Sequence, residues 1–328
     1  PDGRYLPMSD TLVTDGPAPR VIEIGLKRYP DLFAGKMPSL YRGAEPTEYA
    51  VFNHTQKNLT HHTALDGPES IYPDWMTAIL RHGSGPKASV LALPFNPTGV
   101  HRQRDNLTLY YADRGQTVLG ELGYVNDSAM LGWGSSTLSH NLVVVDDEEQ
   151  AGHYLNPDDR HPKLRLAVTS PRLSLVEAES DAYRQCSVYR RKIVLIKDPA
   201  PGSSATFAVD LFRVRGGGKH AYRLSSELAA SDAVNGTLQF DGLDAPTEQP
   251  LPDFGASIEP EHVFGLRDTR TVEQPPDTWT AQWKERGRRY RLRMLSPADQ
   301  VQASNGPGQE TIAQTGRRLR YLDVIRLG

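Results

Sequence analysis

Residues 164–215 read LRLAVTSPRLSLVEAESDAYRQCSVYRRKIVLIKDPAPGSSATFAVDLFRVR, and this stretch decides the fold class. Four segments in it (164–170, 172–180, 187–197 and 205–215) are rich in Val, Ile, Leu, Phe and Tyr, with apolar and polar residues trading places along each. Pro, Gly, Ser or Asp stands between them. A period of two bounded by turn residues is the signature of strands whose side chains alternate between a core and a wet face. The same grammar extends upstream through residues 71–83, 88–95, 106–113 and 142–150, and downstream through 288–296 (RRYRLRMLS) and 319–327 (LRYLDVIRL). Many strands at short spacing with almost no helical period between them predict antiparallel sheets packed face to face. The expected class is mainly β: a large antiparallel β-sandwich over residues 70–328 with a short helical N-terminal segment. Over residues 17–34 apolar side chains at Val21, Ile24, Leu26 and Phe33 fit a short helix interrupted at Pro30. Residues 1–69 read as the tail or remnant of a helical domain.

Composition excludes several classes. At 328 residues the chain can bury a sizeable core, and its 23% charged residues and formal charge of −3 include no long run of one sign. No nucleic-acid tail and no membrane-surface helix is expected, and no apolar run approaches the ~20 residues that span a bilayer. A single cysteine, Cys186, excludes an intrachain disulfide and a cysteine-based zinc site. The opening PDGRYLPMSD has neither an initiator Met nor a signal pattern and reads as a processed or truncated boundary.

The polar groups that can carry chemistry gather in residues 101–150. His101 precedes a strand after a PTGV turn; an imidazole there either caps the turn or exchanges protons with a ligand near neutral pH. Arg102 and Arg104 lie two apart, so an extended backbone puts both guanidinium groups on one face. Such a pair suits a carboxylate or sulfate, and the plainer reading is an ion pair of Arg104 with Asp105 or Asp113. Glu121 and His140 each lie beside a strand and either hold zinc with a third ligand or form a buried hydrogen-bonded pair. Trp133, in the Gly-rich LGWGSS, is a candidate for stacking on a sugar ring. Asn141 either contacts substrate or satisfies a backbone group.

Residues 99–124, GVHRQRDNLTLYYADRGQTVLGELGY, followed by residues 136–150, STLSHNLVVVDDEEQ, resemble the heparinase II/III-like polysaccharide lyases, which include glycosaminoglycan and alginate lyases. The family pattern runs roughly His-x-His-x-Asp-Asn, a strand, a turn, Asp-x-Gly-Tyr, then Ser-His-Asn-Thr-Val-Val-Val-Asp. AILRHG (78–83) and VDLFRVRGGGKHAY (209–222) also look like its sandwich domain. The resemblance is good over residues 70–225 and loose elsewhere. It implies a helical α/α toroid packed against the sandwich, an active site between them, and β-elimination across a uronic acid in an acidic polysaccharide. By the same resemblance His101 is the sandwich-side catalytic histidine; Arg102, Arg104, Trp133 and Asn141, from the reading of the residues above, are the expected substrate-binding residues. Glu121 and His140 fall where several members bind a divalent metal such as zinc. Gln103 stands where those members carry a second histidine, and Glu121 where they carry Asp, which weakens that set because an amide is a poor zinc ligand. The toroid's catalytic tyrosine and its neighbouring Asn or His have no counterpart here, so a toroid chain or fragment is the implied partner. A secreted or periplasmic location is expected. The rival readings are a non-catalytic carbohydrate-binding sandwich and a glycoside hydrolase using Glu121 with Asp105.

Overall fold

Along β9 (Val188–Lys197) every second side chain is buried: Tyr189, Arg191, Ile193, Leu195 and Lys197. That alternation fixes the inner face of a four-stranded antiparallel sheet ordered β10 (Thr206–Arg215), β9, β8 (Leu173–Glu179) and β7 (Lys163–Thr169). The computed structural model describes residues 19–29, 69–84, 87–96, 103–123, 133–151, 162–200, 203, 205–228, 239–241, 247–248, 266–285, 288–307 and 318–328. Among them, three further sheets complete the architecture, and every strand pairing is antiparallel.

A five-stranded meander runs through β1 (Ser70–Tyr72), β2 (Thr77–His82), β3 (Ser89–Pro94), β4 (Tyr110–Asp113) and β5 (Gln116–Leu119). Its Ala78, Leu80, Leu91 and Leu93 pack with Val176, Tyr189, Ile193 and Leu195 of the four-stranded sheet in one core cluster. Each fully buried large side chain there is worth about 1.5–3 kcal/mol. Residues 71–83, read above as one strand, form a hairpin: the turn at residues 73–76, with Met76 at φ 51°, separates β1 from β2. A Pro-Asp pair in the run provides the turn chemistry.

The second layer pair sets a six-stranded sheet against a three-stranded one. The larger runs β13 (Thr247–Glu248), β14 (Arg267–Glu273), β17 (Gln300–Pro307), β18 (Arg318–Leu327), β11 (Lys219–Leu228), β6 (Val143–Val145), and the smaller β12 (Gln239–Asp241), β15 (Trp279–Glu285), β16 (Arg288–Met294). Val301, Ala303, Leu322 and Val324 meet Trp279 and Ala281 between them. The other face of β11 and β18 presents Ala221, Arg223, Ser225, Tyr321, Asp323 and Ile325, as the two-residue period requires. That face receives the segment carrying Trp133, His140 and Asn141. Tyr321 closes on it because residue 306 is glycine: a Cβ there would lie 2.3 Å from Tyr321 Cε2.

The N-terminal helix α1 (Pro19–Arg28) starts on a proline and carries Lys27 and Arg28 in its last turn, which suits the helix dipole. It stops short of Pro30, as expected of a residue that cannot continue a helix. Glu69, placed by the sequence in the helical tail, is tied to the sandwich: its Oε2 accepts from Lys197 Nζ at 2.7 Å and Ser174 Oγ at 2.9 Å. No helix among the described residues is long and apolar enough to cross a membrane.

The β6–β11 connection supplies a pH-dependent clamp. Asp146, at φ 55°, accepts from Gly218 N at 2.7 Å and Lys219 N at 2.9 Å. The Gly218 amide, then the Lys219 amide and Gln185, hold its carboxyl below the usual aspartate value against the burial that would raise it. A depressed folded pKa stabilises above the unfolded value and is lost as pH falls through the folded one. Asp146→Asn is therefore expected to lower the melting temperature at pH 7 and to converge with the parent well below pH 3.8. A gap that stays constant down to acid unfolding would contradict this role.

Candidate active site

The site is built in the loops between β3 and β6 and held from both flanking sheets. Glu121 lies two residues past the end of β5, and His140 follows the 3-10 turn Thr137–Ser139. Ser136 caps that turn by accepting from Leu138 N at 3.2 Å. Glu149 reinforces it by accepting from Thr137 N at 2.7 Å and from the Ser136 hydroxyl. From one sheet Arg191 donates Nη1 to the carbonyls of Leu107, at 2.7 Å, and Asn141. From the other Arg223, paired with Asp323 at 2.6 and 2.8 Å, donates to Leu138 O. Both are buried arginines at inward positions of apolar strands. A charge at such a position needs a partner, and that parity is the signal by which VYRRKIVLIK and AYRLSS mark residues supporting the site.

Glu121 and His140 meet. Glu121 Oε2 lies 2.5 Å from His140 Nδ1, both side chains are shut off from solvent, and Oε1 accepts from Thr108 Oγ1. Burial alone would depress the His140 pKa; the charge and hydrogen bond of Glu121, followed by Asp105 and Glu149, outweigh it and hold the value above that of an ordinary histidine. The pair fixes the ring so that Nε2 points away from Glu121, and Nε2 is buried with no hydrogen-bond partner. Gln103 is buried beside this region: its Nε2 donates to Gly123 O at 2.7 Å, and its Oε1 is likewise without a partner. Asn106 Oδ1 is a third such atom, while Asn106 Nδ2 is bound to Asn96 O and its backbone N–H to Gln150 Oε1 at 2.8 Å. Buried polar atoms are nearly always satisfied; Gln103 Oε1, Asn106 Oδ1 and His140 Nε2 are exceptions within these loops.

The three residues implied as metal ligands do not fit a metal centre as they stand. Both oxygens of Glu121 are engaged by Thr108 and His140, leaving the open atoms to Gln103 Oε1 and His140 Nε2. Among the described residues no three His, Cys, Asp or Glu side chains converge in the manner of a metal site. Of the two sequence readings of Glu121 and His140, the geometry is that of the buried pair.

The remaining site residues fall as follows. Arg104 is half exposed, its Nη1 3.6 Å from Glu149 Oε2; the ion-pair partner expected from sequence was Asp105 or Asp113, but Asp113 binds Arg114 at 2.9 Å. Trp133 is not on a ligand-facing surface: it is 2% exposed, stacks edge-on against Tyr321 at 5.9 Å, and donates Nε1 to the Tyr321 hydroxyl at 3.2 Å. A large apolar ring in a Gly-rich loop has been drawn into the core. Asn141 is fully buried with both amide atoms engaged, Nδ2 to Gly120 O at 2.7 Å and Oδ1 from Ser225 N at 2.6 Å. It stitches the β5 end to β11, the backbone-satisfying alternative of its sequence reading. His101 and Arg102 lie outside the described residues. Thr108 and Gln150, missed by the sequence reading, complete the framework: Gln150 Nε2 donates to Asn106 O at 2.9 Å and Tyr189 Oη at 3.2 Å.

Over 100% of its length the chain superposes on 44% of the heparan sulfate lyase HepC from Pedobacter heparinus, with a TM-score of 0.50 and 12% identity. The chain shares the fold of that lyase over this span. Two heparinase III structures are also similar, at TM-scores of 0.49 and 0.48 and identities of 14% and 13%, over 99% and 100% of this chain and 44% and 45% of theirs. No family model and no curated protein matches the sequence. The chain thus spans less than half the length of the lyases it resembles.

Proposed function

We propose that this protein is the sandwich portion of a polysaccharide lyase that cleaves a uronic-acid-containing glycan by β-elimination, with a helical toroid, on another segment or chain, closing the site. The observation that carries the reading is the fold shared with a heparan sulfate lyase, together with the buried His140–Glu121 pair in the loops between β3 and β6.

The chemistry needs three groups. The uronate carboxylate is neutralised so that the C5 proton becomes acidic; a base takes that proton; the C5–H electrons form the C4–C5 double bond as the C4–O4 bond breaks; an acid protonates the departing O4. His101 serves as the sandwich-side base or charge neutraliser, Arg102 or Arg104 grips the carboxylate, and a tyrosine from the toroid completes the acid–base pair. No step runs through a metal. A secreted or periplasmic location fits a polysaccharide substrate.

A hydrolase needs two free carboxylates flanking the scissile bond, and Glu121, one of the two nominated, is engaged on both oxygens. The test is a panel of alginate, heparan sulfate and a neutral glucan, incubated with the protein and its helical partner segment. One uronate glycan is expected to yield the ultraviolet absorbance of an unsaturated uronate. New reducing ends without absorbance would assign a hydrolase, and binding without either product a non-catalytic carbohydrate-binding sandwich.

A further inference from the structure

The strand β16, RRYRLRM, alternates in the structure as it does in the sequence. Tyr290, Leu292 and Met294 turn inward to the cores, and Arg289, Arg291 and Arg293 are exposed on the opposite face. β16 is the edge of its sheet. Its register with β15 places Gln282 opposite Arg291 and Thr280 opposite Arg293, on the same face. Consecutive outward residues of a strand repeat every ~6.6–6.8 Å, so three guanidinium groups form a rigid ladder floored by an amide and a hydroxyl.

These cations differ from those on the other wet sheet face. On β7–β9, Arg165, Arg190 and Lys192 are each paired with Glu177 or Glu179. Among the described residues Arg289, Arg291 and Arg293 have no carboxylate partner; the nearest polar contact is Arg291 Nη2 to Gln282 Oε1, at 3.4 Å. Charged residues also protect edge strands from pairing with other chains, a role that falls mostly to lysine. Three arginines in a row, without counter-charge among the described residues and beside other hydrogen-bonding side chains, match instead the bidentate geometry that carboxylates and sulfates require. The ladder is fastened to the hairpin that leads to the site: Tyr290 Oη donates to Gln116 Oε1 at 2.8 Å. Gln116 opens β5, and Glu121 lies five residues further on, at most about 17 Å along an extended chain.

We propose that the outward face of β15–β16 is a second binding strip for a linear polyanionic glycan, outside the cleft, that recognises carboxylate or sulfate groups along the polymer. It rests on the acidic-glycan reading of the cleft for the identity of the polymer. A nucleic acid is the less favoured polyanion, because the strip shows no exposed aromatic among its described side chains for base stacking and the formal charge of the protein is −3.

The test measures binding of alginate, heparin, dextran sulfate, neutral dextran and duplex DNA at low and high salt. The protein is compared with Arg289→Gln/Arg291→Gln/Arg293→Gln, with the triple Arg→Lys variant, and with the buried-pair variant His140→Gln, the fold of each checked by thermal melting. The triple Gln variant is expected to bind the acidic glycans about tenfold more weakly, with a shallower salt dependence, since exposed charge contacts are individually small and additive at best. The Lys variant should keep the salt dependence and lose part of the affinity, and His140→Gln should keep the strip's share of binding. Arg291→Gln alone, expected to weaken binding about threefold, reads the strip should the triple variant melt early. Alginate against dextran sulfate tells carboxylate from sulfate recognition. Unchanged glycan binding in the Gln variant, no glycan binding by the parent, or a loss confined to DNA overturns the strip. Strip-dependent binding with no unsaturated product from any uronate glycan supports the strip and overturns the lyase reading.

Discussion

Arg191→Met is expected to destabilise the protein by about 3–5 kcal/mol, read as a shift in the denaturant midpoint at constant slope. Arg191 is fully buried and holds three partners at once. Its Nε and Nη2 meet Asp210 at 3.0 and 2.5 Å, its Nη1 reaches the Leu107 and Asn141 carbonyls, and its guanidinium lies 5.2 Å from the Phe212 ring centre. Burial would lower its pKa, but the charge of Asp210 and the bonds to it outweigh that, so the group stays a cation. Methionine leaves Asp210 with the Tyr222 hydroxyl, at 2.5 Å, and leaves those carbonyls without their donor. A part-buried carboxylate stripped of its counter-charge and buried carbonyls without donors are each costly. Arg191→Met/Asp210→Leu should recover a large part of the loss, because removing both charges removes the unpaired one. A single variant within about 1 kcal/mol of the parent, the size of an ordinary surface change, would show that the site loops are held by other means.

The outline of the sandwich was legible because its strands are apolar-rich, largely alternating runs bounded by turn residues. The segments at 164–170, 172–180, 187–197 and 205–215 became β7, β8, β9 and β10 within a residue or two. The polar strand β17, QVQASNGP, gave no such signal. It lies between β14 and β18 and presents Val301 and Ala303 to one core, while Ser304 on the other face hydrogen-bonds Thr269 at 2.7 Å. Small hydroxyls that satisfy one another can be buried without an apolar pattern. NLTLYYAD shows the reverse failure: Leu107 sits at φ 66° and the strand begins only at Tyr110. The apolar side chains before it enter the core from a loop.

The site was legible as a set of residue types more than as an arrangement. Glu121, His140 and Gln103 were nominated together, and the structure brings Glu121 and His140 into contact. What spacing does not encode is which groups the framework uses up. Asn141 and Trp133 are drawn inward by Ser225, Gly120 and Tyr321, which lie from about 20 to nearly 190 positions away in sequence. Arg191, read as part of an ordinary strand, and Arg223, which the sequence reading did not single out, hold the loops.

The most direct test of the proposed chemistry is His101→Ala in the protein together with its helical segment, followed by the ultraviolet absorbance of unsaturated uronate on the glycan that the parent cleaves. General acid–base groups contribute about 10²–10⁴-fold in rate, so initial rates should fall by that factor, about 3–5 kcal/mol on the barrier. Glycan binding should persist. Unaltered turnover in the His101→Ala protein would contradict the account, since another group would then be taking the C5 proton.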